Sequence, residues 1–73
     1  MIMNELINKI SEVFKEDDRV IVYTYDKKID IYAVVFTNIE MRKIWRIIQQ
    51  EKIIIEISSA ANNKVRITFE KEE

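Results

Sequence analysis

Arg42, Lys43 and Arg46 lie close together, and Gln49 follows them. On a helix, Arg42 and Arg46 stand one turn apart and share a side, with Gln49 on the next turn. Guanidinium and ammonium groups grip phosphates, and a glutamine amide reads base edges. The group is therefore a candidate nucleic-acid contact. The competing reading is an ordinary solvated helix face. The charge balance favours it, because 12 basic residues against 13 acidic ones leave a formal net charge of −1. A chain so balanced has little attraction for a polyanion or an anionic membrane.

Other chemistry is poorly supplied. There is no Cys and no His. That removes the thiol nucleophile, the imidazole base and every thiolate or imidazole metal site. Ser58 and Ser59 have no evident base and read as the start of a loop. Asp26, Asp30 and Glu56 share no spacing that would pair them for acid/base work or build a Mg²⁺ site. Asp30 falls either among the tyrosines of a hairpin or beside its exposed turn, and the turn is the commoner setting for Asp. No Gly is present, so no loop can cradle a phosphate through glycine amides. No catalytic residue, metal ligand or cofactor is assigned, and a non-enzymatic role is expected.

The aromatic residues offer a different surface. Residues 19–36 read as a β-hairpin whose two faces are both apolar, whereas a half-exposed hairpin alternates apolar with polar. One face carries Val20, Val22, Ile31, Ala33 and Val35. The other carries Ile21, Tyr23, Tyr25, Tyr32, Val34 and Phe36. Tyrosines on a sheet can stack bases, but the RNA-recognition signature needs glycines that are absent, so packing against protein is favoured. Ile21, Tyr23, Tyr25, Tyr32, Val34 and Phe36 are the candidate dimer or partner interface.

The elements that must position these residues follow from periodicity. Residues 3–16 form a helix with Met3, Leu6, Ile7, Ile10, Val13 and Phe14 on one stripe. Glu16, Asp17 and Asp18 oppose the negative end of its dipole and stop it. A two-residue turn at Lys27-Lys28 would place Tyr23 opposite Tyr32. A three-residue turn at residues 26–28 would place Tyr23 opposite Ile31. The first is preferred because it sorts small aliphatics from aromatics. Thr37-Asn38-Ile39-Glu40 is a capping box, so a second helix starts at Asn38. Its stripe is Met41, Ile44, Trp45 and Ile48, with Trp45 in the core, and it ends near Glu51. Residues 52–58 form a strand with Ile53, Ile55 and Ile57 on one face. Asn62 or Asn63 supplies the left-handed conformation in the next loop. Residues 64–70 form the last strand, with Val65, Ile67 and Phe69 inward, and residues 71–73 form a frayed tail.

The expected fold is α+β in the order α-β-β-α-β-β. It is one domain over residues 1–73, with a four-stranded, mostly antiparallel sheet and both helices on one face. Duplication of an αββ unit is the less favoured origin of this order.

At 73 residues, such a core supplies only ~3–5 kcal/mol of net stability. Disulfides and thiolate metals are excluded, so oligomerisation is the remaining support. The leading reading is a small regulatory or interaction protein that acts as a homodimer and binds another macromolecule, a protein partner being favoured over nucleic acid. The Ile, Lys, Glu and Asn richness resembles that of AT-rich genomes, such as some archaea, low-GC bacteria and their viruses, and a virus- or plasmid-encoded accessory factor is one source that fits. Zero Cys fits a reducing, cytoplasmic setting. The N-terminus lacks a signal-peptide pattern, and no apolar run is long enough to span a membrane.

Overall fold

The structure, a computed structural model, describes residues 3–71 and the side chains of residues 5–71. Helix α1 is Met3–Phe14, two residues shorter than its apolar period suggests. The chain breaks there because Asp17 N donates to the Phe14 carbonyl at 3.0 Å and Val20 N donates to the Asp17 carbonyl at 3.1 Å. Arg19 fixes this turn, its Nε and Nη2 donating to the two Asp17 carboxylate oxygens at 3.0 and 3.2 Å. Helix α2 is Asn38–Ile48. It starts where the capping box requires. Thr37 Oγ1 accepts from Glu40 N at 3.1 Å, and Glu40 Oε1 accepts from Thr37 N and Thr37 Oγ1 at 2.9 Å each.

Four antiparallel strands complete the chain: β1 Ile21–Thr24, β2 Lys28–Ala33, β3 Ile53–Ala60 and β4 Lys64–Lys71. Their order in the sheet is β1-β2-β4-β3. The first hairpin takes neither register expected above. Tyr25 N donates to the Lys28 carbonyl at 2.9 Å, so Asp26 and Lys27 form the turn and Tyr23 faces Asp30. The shift from the preferred register is two residues, which keeps the paired side chains of β1 and β2 on their expected faces. The second hairpin turns through Asn62 and Asn63, both at positive φ (62° and 60°). Two successive positive φ values are what a tight primed turn demands, and Asn tolerates them in place of the missing Gly. Lys71 closes β4 opposite Ile53, so the expected fraying does not begin there. Glu72 and Glu73 lie outside the described residues.

Both helices cover one face of the sheet. Leu6, Ile7, Ile10 and Phe14 of α1 bury against Val20, Ile29, Ile31 and Ala33, while Ile44 of α2 and Ile67 and Phe69 of β4 complete the core. The topology is that of two αββ units meeting at the β2–β4 ladder, with β1 and β3 as equivalent outer strands. The halves differ in their outer strands, since β1 has 4 residues and β3 has 8, and in their helices, since α1 buries Leu6, Ile7, Ile10 and Phe14 in the core and α2 only Ile44.

Candidate functional site

Two apolar surfaces remain uncovered, one on each side of the sheet. The helix-free face carries Ile21, Tyr23 and Tyr25 from β1 and its turn, and Asp30 and Tyr32 from β2. Arg66 and Thr68 of β4 and Ile54, Glu56 and Ser58 of β3 share that face by register. Ile21, Tyr23, Tyr25, Val34 and Ile54 are exposed, Tyr23 by 52%. Tyr23 and Tyr32 meet edge to face, with ring centroids 5.5 Å apart. Lys28 Nζ lies 5.1 Å from the centre of the Tyr25 ring, a cation–π distance.

Of the expected interface residues, Ile21, Tyr23, Tyr25 and Tyr32 thus stay together, while Val34, exposed, lies just past the end of β2. Phe36 does not join them. β2 ends at Ala33, and Phe36 turns back to pack edge to face on Phe14, centroids 6.1 Å apart. The extended alternation that would have kept it on the open face stops three residues earlier.

Asp30 takes the less common of its two expected settings, among the tyrosines of the hairpin. It is 5% exposed, on the open face between Tyr23 and Thr68. Its Oδ1 is buried with no hydrogen-bond partner. Such an oxygen lacks the compensation that buried polar groups normally find. Arg66 is the positive centre of this face. Its Nε donates to Ser58 Oγ at 3.1 Å. The Tyr32 hydroxyl raises its pKa above the ordinary value, with the charges of Asp30 and Glu56 adding to the effect.

The second surface is a groove of about 680 Å³ between α2 and β3, floored by Ile55, Ile57, Ile67 and Phe69 and walled by Met41, Trp45 and Ile48. It arises because α2 packs chiefly against α1, joining the core through Ile44, and leaves the outer half of the sheet bare. Trp45, expected in the core, is 59% exposed on the groove wall. The capping box explains the difference. It draws Glu40 inward, so the buried line of α2 runs through Glu40 and Ile44, with Met41, Ile47 and Ile48 beside it and Trp45 on the flank. Arg42, Lys43, Arg46 and Gln49 are all exposed, and Arg42 and Arg46 reach the groove wall. The only sequence signal for this groove was an Ile-rich β3 with too few helical residues to cover it.

At the α1–β1 turn, the Arg19 guanidinium, and after it the neighbouring Glu40 carboxyl, hold Asp17 down at about 2 against an ordinary 3.8. This cluster ties the turn to the start of α2 and is remote from both apolar surfaces. Among the described residues, no group of three or more acidic side chains is placed to hold a metal ion, and no helix is long and apolar enough to cross a membrane. Comparison with protein families, curated proteins and solved structures finds no match for this chain.

Proposed function

We propose that this chain is a small, non-enzymatic interaction protein that works as a homodimer and docks another protein on the open face of its sheet. The observation that carries the reading is the aromatic and aliphatic patch of Ile21, Tyr23 and Tyr25, exposed beside the preset Tyr23–Tyr32 pair. Rigid, amphipathic tyrosines supply contact area at low entropic cost and are enriched where proteins meet. A regulatory role and a viral or plasmid source agree with the small size and composition.

Affinity capture from the source cell with the wild type and Tyr23→Asp in parallel tests this. A protein held by the wild type and lost by the variant, with unchanged circular dichroism, is the expected result. Equal capture by both, or unfolding of the variant, overturns it, since Tyr23 would then be either irrelevant or structural. Binding of nucleic acid by α2 is the second reading, favoured by the joint exposure of Arg42, Lys43, Arg46 and Gln49.

A further inference from the structure

We propose that the second copy binds edge to edge, β3 against β3, to give one continuous eight-stranded sheet. This rests on the homodimer reading above and specifies its geometry, leaving the open face for the partner. The first observation is β3 itself. Its outer edge meets no other strand among the described residues, so a row of backbone N–H and C=O groups awaits a strand and nothing else. Soluble proteins guard such edges with Pro, Lys, bulges or short length. β3 has none of these guards. It runs for 8 residues, pairs with β4 in unbroken register from Ile53 to Ala60, and carries Glu56 as its one charge. The opposite edge, β1, is protected by being only 4 residues long.

The side chains say which partner fits. Ile57 is 71% exposed, and Ile54 and Ile55 are also exposed, so β3 presents bare Ile55 and Ile57 on the helix side and Ile54 beside Glu56 and Ser58 on the open side. A strand with exposed isoleucines on one side and a mixed polar row on the other matches a second copy of itself, and the chain supplies one. In an antiparallel pair, directly opposed residues share a face. Keeping both sets of helices on one side of the joint sheet therefore needs a two-fold axis through a residue. An axis at Glu56 would set the two carboxylates directly opposite each other, which is unfavourable. An axis at Ile55 would pair only residues 53–57. An axis at Ile57 pairs residues 54–60, sets Ile57 against its own copy and places Glu56 of one copy opposite Ser58 of the other.

That last pairing is complementary in charge. Arg66 lies across from Ser58 in the β3–β4 ladder and donates to its Oγ at 3.1 Å. Its guanidinium thus spans from Tyr32 on β2 to Ser58 on β3. Two strand spacings separate the Arg66 backbone from that of Glu56 in the other copy, about 10 Å, which the two side chains can bridge. On the helix side, the two Ile57 side chains meet between the two grooves. Ile55 and Trp45 of each copy add apolar area to what would otherwise be a narrow strand contact.

The chain has no Cys, so single-cysteine variants report contacts without background. The wild type should sediment as a dimer at micromolar concentration. Ile57→Cys should form a covalent dimer under mild oxidation, because the residue faces itself, and Tyr23→Cys should not. Ile57→Lys should weaken the dimer by more than about tenfold, since it sets two like charges at the axis. Ile57 is exposed in the single chain, so neither variant should unfold it, and circular dichroism checks this. A monomeric wild type overturns the proposal and reserves the edge for a strand of another protein. A dimer that survives Ile57→Lys, with no Ile57→Cys cross-link, overturns the edge geometry while the homodimer stands. A monomeric wild type also removes the homodimer part of the reading above, whereas loss of the edge geometry alone does not, and docking of a partner on the open face is tested apart from both by the Tyr23→Asp capture experiment.

Discussion

Tyr23 and Asp30 face each other across the β1–β2 ladder, an exposed aromatic ring beside a buried carboxylate. Strand pairing leaves Asp30 no route off this face, and its neighbours close over it. Its Oδ1 is left without a partner. An unsatisfied buried acceptor costs roughly 1–3 kcal/mol. Asp30→Val removes it with little change in volume and suits a strand. Urea denaturation at neutral pH should show the variant more stable by about 1–2 kcal/mol, part of the lost penalty. A less stable variant would mean that the carboxylate is engaged in the folded chain.

The capping box at Thr37 is a second quantitative test. Thr37→Ala removes the acceptor for Glu40 N and a donor to the buried Glu40 carboxylate. The loss should be about 1–2 kcal/mol, the upper part of the range for a cap, because Glu40 is buried. Thr37→Ser keeps the hydroxyl and should recover most of that loss. Equal stability of the alanine and serine variants would contradict the assignment.

Asp17 gives a pH dependence of known sign. Its folded value of about 2 lies below the ordinary 3.8. The stabilisation it brings is present above 3.8 and is lost as pH falls through 2. Asp17→Asn should therefore be less stable than the wild type at neutral pH. The gap should close between pH 4 and pH 2 and stay constant above pH 5. Denaturant titrations across that range check it, and a gap independent of pH would exclude this source.

Nucleic-acid binding by α2 has a clear signature. If it occurs, affinity for duplex DNA should fall with salt at a log–log slope of about −0.9 per phosphate neutralised. It should also vanish in Arg42→Ala/Arg46→Ala. The outcome expected from the net charge of −1 is no binding at physiological salt. Tight, salt-sensitive binding lost in that double variant would put the second reading first.

Trp45 and Phe36 exchanged their expected environments, and their alanine variants should show it. Trp45→Ala should cost the single chain less than about 1 kcal/mol, as exposed substitutions do. Phe36→Ala, which removes the packing on Phe14, should cost about 2–3 kcal/mol, a half-buried version of a core Phe deletion. The reverse order would return Trp45 to the core.

What could be read from the sequence was local. The α1 stripe, the Thr37–Glu40 box, the Ile53/Ile55/Ile57 alternation and the inward Val65, Ile67 and Phe69 are each set by residues within a few positions of one another. The first hairpin was half legible. Face assignment survived because alternation enforces it, but the turn slid to Asp26-Lys27 because neither turn had Gly or Asn to specify it. Trp45 and the α2–β3 groove were not legible. Their positions depend on how α2 rolls over a sheet whose width no local pattern encodes. Asp30 was misjudged because its burial comes from β1 and β4, two elements far from it in sequence or across the turn.

The strand order also has a kinetic side. Each hairpin closes a loop of a few residues and can form alone within ~1–10 μs. The β2–β4 ladder, which aligns Lys28 with Glu70, is the one seam in the sheet between the two halves of the chain. Closing it requires the longest loop in the fold, so the barrier to folding lies there. Peptides covering residues 1–35 and 36–73 should each be largely unstructured and gain helix and strand signal only on mixing. The chain would then behave as a complex of its own two halves, which the stretch between Ala33 and Thr37 keeps at high local concentration.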